Sequence, residues 1–316
     1  MGDIEISVII PVYNEEENIF PLYSEITEVL QRVGRPYEIL FIDDGSTDKT
    51  FDKLKEILDS DSCIKIIKLH NNFGQSAAMR AGFDTASGDI IITLDGDLQN
   101  DPNDIPLMLK TLEESDVDVV CGWRYNRHDS LSKRIFSKFA NIIRKSLTHE
   151  TVHDSGCTLR VYKSFCIANL ELSGELHRYI PALLLWKGYR VTEVKINHRP
   201  RSFGVSKYNW VRLIKGLLDL FVVVFWKRYS VRPMHVFGIM GLIIALFGFI
   251  IAVYLVFLRI FSGESLINRP TFIIALVMML IGLQFFALGI LADIMMKIYY
   301  SQNNRKNYLI EKTFSR

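Results

Sequence analysis

No two of the four cysteines, Cys63, Cys121, Cys157 and Cys166, form a CxxC pair or stand at a metal-ligand spacing. That excludes a zinc site built on cysteine pairs, and the thiols read as reduced, in a reducing compartment. Excess charge is missing too: a net +2 leaves no electrostatic footprint for nucleic acid. The opening "MGDIEISVII" lacks the basic n-region of a signal peptide and runs straight into a strand-like pattern. Gly2 fails as a myristoylation site because position 6 is Ile. No GxGxxG follows the first strand-like run and no GxxxxGK[ST] occurs, which argues against a dinucleotide fold and against a P-loop ATPase.

What is present divides near Pro233. From His235 to Leu258 the chain has no Asp, Glu, Lys or Arg, a length that spans a bilayer. After the loop "RIFSGESLINRP" a second apolar run, starting at Thr271, is interrupted only by Gln284 and, near its end, Asp293. Lys227, Arg228 and Arg232 precede the first run; Lys297, Arg305 and Lys306 follow the second. The positive-inside rule therefore predicts a multi-pass cell-membrane protein with both termini and the N-terminal domain in the cytoplasm. Gly238, Gly241 and Gly248 suit close helix packing, and homo-oligomer formation through the spans is expected.

Ahead of residue 100, "ISVIIPVYN", "YEILFIDDGS", "IKIIKLH" and "IIITLDGD" alternate with helical patterns. This predicts an α/β fold with a mostly parallel central sheet and helices on both faces. Three of these strands end in polar groups: Pro11, Tyr13, Asn14 and Glu15; Asp43, Asp44, Gly45 and Ser46; Asp95, Asp97 and Gln99. The carboxyl edge of such a sheet is where ligands bind. An extended backbone would point Asp95, Asp97 and Gln99 to one side, as oxygen donors for a hard divalent cation. The plainer reading is a pair of polar turns, with Ser46 or Thr47 capping one helix and an Asp or Asn of "NDPND" the next.

"SVIIPVYNEEENI", "IDDGSTDKT", "NNFGQSAAMRAGF" and "LDGDLQNDP" together resemble family-two glycosyltransferases with the GT-A nucleotide-sugar-binding fold. Within that family, "GWRYNRHD", "HDSGCTLRVYK", "HRPRSFGVSKY" and the paired C-terminal spans are similar to the polyisoprenyl-phosphate branch. That branch includes dolichol-phosphate mannosyltransferase and undecaprenyl-phosphate sugar transferases. Gly96 stands where many relatives have Ala. The resemblance implies inverting transfer of a sugar from a nucleotide-sugar, UDP-linked in preference to GDP-linked, to a polyisoprenyl phosphate. It implies that Asp43 and Asp44 read base and ribose, with Pro11, Tyr13 and Glu15 walling the pocket. Asp95, Asp97 and Gln99 would hold Mg²⁺ or Mn²⁺ against the diphosphate, which makes Asp95 part of the donor site and Asp97 catalytic. Asp154 takes the position of a base or of an acceptor-orienting carboxylate; a turn residue before a strand is the alternative.

Two anionic substrates need compensating cations, and Arg124, Arg127, Lys133, Arg134, Arg199, Arg201 and Lys207 are available. The basic runs around Gly204 suggest a lid. The expected organisation is a cytoplasmic GT-A domain over 1–207, an interfacial amphipathic helix over 208–232, a two-span hairpin over 233–298 and a cytoplasmic tail over 299–316. Competing readings are a processive polysaccharide synthase on the same fold and a non-catalytic nucleotide-sugar-binding membrane protein.

Overall fold

The computed structural model describes residues 4–125, 152–168, 170, 172, 174, 176–200, 233–262, 270–301 and 310–315. They fall into two compact units, one built on a sheet and the other on two long helices.

In the first unit β1 (Ile6–Val12), α1 (Ile19–Val33), β2 (Tyr37–Asp43), α2 (Thr50–Ser60) and β3 (Ile64–Leu69) run as two strand–helix–strand crossover units of parallel sheet. Then α3 (Gln75–Thr85) carries the chain back so that β4 (Ile90–Thr93) pairs with the other side of β1. The sheet continues through α4 (Ile105–Glu114), β5 (Val119–Arg124), β6 (Arg160–Lys163), the short α5 (Ser164–Ile167), α6 (Ile180–Trp186) and β7 (Val191–Ile196). The full order is β7-β5-β6-β4-β1-β2-β3-β8, where β8 is Ile310–Ser315. Six strands share one direction; β6 and β8 oppose it. The mostly parallel sheet expected from the sequence is present.

Parallel strands covered on both faces should be apolar throughout, and β1 shows why this sequence obliges. Ile6, Val8, Ile10 and Val12 enter one core with Leu22, Ile26 and Leu30 of α1 and with Met108 and Leu112 of α4. Ile9 enters the other, with Ala77, Ala78 and Ala81 of α3. The small residues of α3 let it lie close: a Cβ on Gly82 would stand 2.4 Å from Ile9 Cγ2. Each such aliphatic side chain contributes about 1.5–3 kcal/mol by leaving water. The first helix stops at Gly34, whose φ of +71° is left-handed and whose N–H returns to the Leu30 carbonyl.

The reversal of sequence order between β2 and β4, on either side of β1, is a topological switch point. In open α/β sheets, ligands bind at such a point, outside the carboxyl ends of the strands. At the opposite edge, β8 comes from beyond the second long helix and pairs antiparallel with β3, Lys68 facing Lys312. The tail, read from the sequence without any element, thus supplies the last strand of the sheet.

The second unit consists of α7 (Pro233–Ser262) and α8 (Pro270–Ser301), both long and apolar enough to cross a membrane. Their glycines form the seam between them. A Cβ on Gly241 would meet the Gly282 carbonyl oxygen at 2.5 Å, and one on Gly248 the Ala275 carbonyl oxygen at 2.7 Å. These glycines serve contact within the hairpin. The amphipathic segment 208–232 lies outside the described residues.

Candidate functional site

The loops after β1 and β2 are laced together. Asn14, at φ +54°, donates its N–H to Ser46 Oγ (3.0 Å), and its Oδ1 accepts from the Thr47 N–H (2.8 Å). The Glu15 N–H donates to Thr50 Oγ1 at 2.9 Å. Ser46 and Thr47 therefore tie the two strand tips to each other and do not cap α2, whose N-cap, Lys49, has no side-chain cap bond. Pro11, Tyr13 and Glu15 stand half-buried beside this junction.

Asp43 and Asp44, at the tip of β2, are both buried. Asp43 Oδ1 accepts from the Ser46 N–H at 2.9 Å, and its Oδ2 has no partner among the described residues. Asp44 spends each oxygen on a backbone amide of the β3–α3 loop: Phe73 N–H to Oδ1 (2.8 Å) and Gly74 N–H to Oδ2 (2.9 Å). Burial pushes the Asp44 carboxyl up to about 6, against the pull of those two amides. Burial likewise raises Asp43. Gly45 is required here: its φ is +72°, and a Cβ would come within 2.6 Å of the Asn71 carbonyl carbon.

The same loop reaches the next tip. Gln75, the residue after Gly74, donates Nε2 to Asp95 Oδ1 at 2.7 Å. Burial of the Asp95 carboxyl and the neighbouring Asp97 carboxylate both raise its pKa, with Thr158, Arg124 and Gln75 opposing. Asp97 is buried and accepts from the Gln99 N–H at 3.2 Å. The extended backbone expected across Asp95, Asp97 and Gln99 is not found. The strand ends at Thr93 and the chain turns through a left-handed Leu98 (φ +61°). Gln99 is directed to Arg199: its carbonyl accepts the Arg199 N–H at 2.9 Å, and its amide Nε2 lies 3.5 Å from the Arg199 carbonyl. The cap expected in "NDPND" is there, Asp101 accepting the Asn103 N–H at 3.0 Å.

Arg124, at the end of β5, grips Asp154 in a two-pronged pair, Nε to Oδ2 at 2.6 Å and Nη2 to Oδ1 at 2.9 Å. Burial opposes the guanidinium charge, but Asp154 outweighs it and holds the Arg124 pKa above its ordinary value. Gly156 lets the turn pass close, since a Cβ there would sit 3.2 Å from Arg124 Nη2. Behind the turn, Arg160 is fully buried, and its Nη1 and Nη2 donate to the carbonyls of His177 (3.0 Å) and Ser155 (2.6 Å). Ser76, next to Gln75, lies 2.9 Å from Nδ1 of the buried His177.

The sheet thus gathers Asp43, Asp44, Asp95, Asp97, Arg124 and Asp154 along one edge. Arg199 is turned instead to Glu25 (2.7 Å) and Asp101 (2.8 Å), where its charge is matched within the fold. Arg127, Lys133, Arg134, Arg201 and Lys207 lie outside the described residues. Gln75, Ser76 and Arg160 were missed by sequence reasoning, although "FGQSAAM" and "TLRVYK" contain them. Two adjacent carboxylates whose charges repel suit a hard divalent cation, and the donor set fits Mg²⁺ or Mn²⁺. Among the described residues no group of three His, Cys, Asp or Glu side chains is placed to hold a metal ion, so their carboxylates supply a pair of donors here.

Residues 7–168 match the family described as Glycosyl transferase family 2. The chain belongs to that family. It is a glycosyltransferase with the GT-A fold. A dodecaprenyl-phosphate galacturonate synthase of Rhizobium johnstonii is 38% identical over 315 residues, covering 98% of this chain and 93% of the relative. An undecaprenyl-phosphate 4-deoxy-4-formamido-L-arabinose transferase of Pectobacterium atrosepticum is 35% identical over 312 residues, covering 98% and 94%. Among solved structures, glucosyl-3-phosphoglycerate synthase from Mycobacterium tuberculosis, in complex with Mn²⁺, uridine diphosphate and phosphoglyceric acid, superposes with a TM-score of 0.55. It is 17% identical and covers 71% of this chain and 78% of that one, which is a likeness of fold.

Proposed function

We propose that this glycosyltransferase moves a sugar from a UDP-linked donor to a polyisoprenyl phosphate at the cytoplasmic face of the membrane, with inversion at the anomeric carbon. The observation that carries the reading is the single edge on which donor-type carboxylates, an acidic pair and the Arg124–Asp154 pair meet, in a chain that also has two membrane-length helices. Near-full-length relatives named for dodecaprenyl and undecaprenyl phosphate support the acceptor. A solved neighbour holding uridine diphosphate and Mn²⁺ supports the donor.

Asp43, with an unpartnered oxygen at the tip of β2, reads the nucleoside; Asp44 fixes the β3–α3 loop beside it. Asp95 and Asp97, with Gln99 as the third donor, would hold the divalent cation, which would supply positive charge against that developing on the nucleoside diphosphate leaving group. An oxygen of the lipid phosphate attacks the anomeric carbon from the face opposite the diphosphate. The new carbon–oxygen bond forms as the bond to the diphosphate breaks. A phosphate monoester, with a second pKa of about 6, is largely ionised near neutrality and needs no strong base. Asp154 is therefore the carboxylate that orients Arg124, and Arg124 is the cation that meets the acceptor phosphate.

The topology rests on β8. The pairing of β8, which follows the hairpin, with β3, which precedes it, supports an even number of membrane crossings. The basic residues flanking the hairpin support a cytoplasmic position for that side.

The test is to incubate purified protein with undecaprenyl phosphate and a panel of labelled UDP- and GDP-sugars. Label entering the organic phase from a UDP-sugar, with inverted anomeric configuration by NMR, is the expected result. No lipid product from any donor would contradict it.

A further inference from the structure

The run from Phe73 to Ser76, which leads into α3, is bonded residue by residue: the Phe73 and Gly74 amides to Asp44, the Gln75 side chain to Asp95 and the Ser76 hydroxyl to His177. The transfer chemistry accounts for Asp44 and Asp95 but leaves the Ser76–His177 contact without a part. Ser76 Oγ accepts the His177 main-chain N–H at 3.1 Å and lies 2.9 Å from Nδ1 of the same residue, so one hydroxyl fixes both the backbone and the ring. The His177 carbonyl accepts Nη1 of Arg160, whose Nη2 goes to the Ser155 carbonyl, one residue from Asp154. Ser76, His177, Arg160 and Ser155 are 1%, 4%, 1% and 2% exposed. A hydrogen-bonded path therefore runs inside the fold, from the residue beside Gln75 to the residue beside Asp154. Gln75 holds Asp95, and Asp154 holds Arg124.

Burying this path costs free energy that simple packing would not. Among the described residues Arg160 is bonded to carbonyls and not to a carboxylate, and its Nε has no hydrogen-bond partner there. Apolar side chains of similar volume would fill such space without that penalty. What they cannot supply is a planar fork that joins two carbonyls on separate segments. We propose that His177 is a positioning residue for sugar transfer: held by Ser76 and Arg160, it fixes the spacing between Asp95 and the Arg124–Asp154 pair. The proposal rests on the transferase reading, in which the donor lies on the Asp95 side and the acceptor phosphate on the Arg124 side. The attacking oxygen meets the anomeric carbon only if the two sides keep their distance, and an error of about 1 Å costs up to about 100-fold in rate.

The test uses the full-length protein in detergent, with undecaprenyl phosphate and the panel of labelled UDP-sugars, while UDP binding in the presence of Mn²⁺ is followed by calorimetry. Ser76→Ala and His177→Ala should each lower kcat about 10- to 100-fold, with the Kd for UDP and the KM for undecaprenyl phosphate changed less than about threefold. His177→Asn, whose amide extends toward the Ser76 hydroxyl in place of Nδ1, should recover most of kcat, but not in the Ser76→Ala background. The double variant Ser76→Ala/His177→Ala should be no slower than His177→Ala alone, because groups that act as a unit are not additive. If His177→Ala does not fold, Ser76→Ala and His177→Asn decide. A wild-type kcat in Ser76→Ala, no recovery in His177→Asn, or a loss confined to UDP affinity or melting temperature overturns the proposal and leaves the transferase reading standing. No lipid-linked label from the wild type overturns both.

Discussion

Arg124 and Asp154 face each other through two parallel hydrogen bonds of 2.6 and 2.9 Å, on a strand end and a turn 30 residues apart. A carboxylate bound in this way positions a guanidinium. It is poorly placed to take a proton.

Asp154→Asn should therefore weaken use of the lipid acceptor while leaving the shape of the pH–rate profile intact. Losing one charged partner costs about 1.5–3 kcal/mol, so kcat/KM for the acceptor should fall roughly 10- to 100-fold. A general base would give a different result, with its acidic limb abolished in the Asn variant. Arg124→Lys should do equal harm, because an ammonium cannot make the two-pronged pair.

Gln75 holds Asp95 Oδ1 at 2.7 Å. Gln75→Ala should raise the Mn²⁺ concentration needed for half-saturation by about tenfold, the usual penalty for removing a group that orients a metal ligand. Electron paramagnetic resonance of Mn²⁺ added without any sugar donor measures this directly. Unchanged Mn²⁺ binding would show that Asp95 needs no such support.

Asp44 gives a pH dependence whose sign is fixed by its raised pKa of about 6. Unfolded, its carboxyl releases its proton near pH 4. Between about pH 4 and 6 the folded state holds more protons at this position, so the Asp44 contribution to stability falls as pH rises through that window and is level above it. The melting temperature of the wild type minus that of Asp44→Asn should decline from pH 4 to 6 and then flatten. A difference rising across that range would contradict the buried environment of Asp44.

Truncation before Ile310 removes β8 and bares the edge of β3. Such an edge invites pairing with other chains, so the truncated protein should melt several degrees lower and aggregate on heating. β3 also leads into the loop that Asp44 clamps, and nucleotide affinity should drop in the same variant. A truncated chain with unchanged melting and nucleotide binding would show that the strand is dispensable.

The sequence made the first four parallel strands legible because each is a short run dominated by Ile, Leu and Val with Asp or Asn at or just after its end, and the long helices because nothing else is so apolar. The carboxylates at the strand tips followed from the rule that such edges bind ligands. β8 was hidden because "IEKTFS" has an ordinary polar alternation and its partner strand lies over 200 residues earlier. The bend at Leu98 was hidden because Leu rarely takes a left-handed φ, so strict alternation looked the better reading. Arg199 and Arg124 look equivalent in sequence. Only tertiary contact shows the first spent on Glu25 and Asp101 and the second paired with Asp154 beside the acidic pair.

The most direct test of the central claim compares wild type with Asp97→Asn for transfer of labelled sugar to undecaprenyl phosphate, with and without a chelator, while nucleotide binding is followed by calorimetry. The account predicts lipid-linked label from the wild type, lost with the chelator and with Asp97→Asn, in a variant that still folds. Full transfer by Asp97→Asn, or transfer indifferent to the chelator, would contradict the assignment of the acidic pair to the reaction.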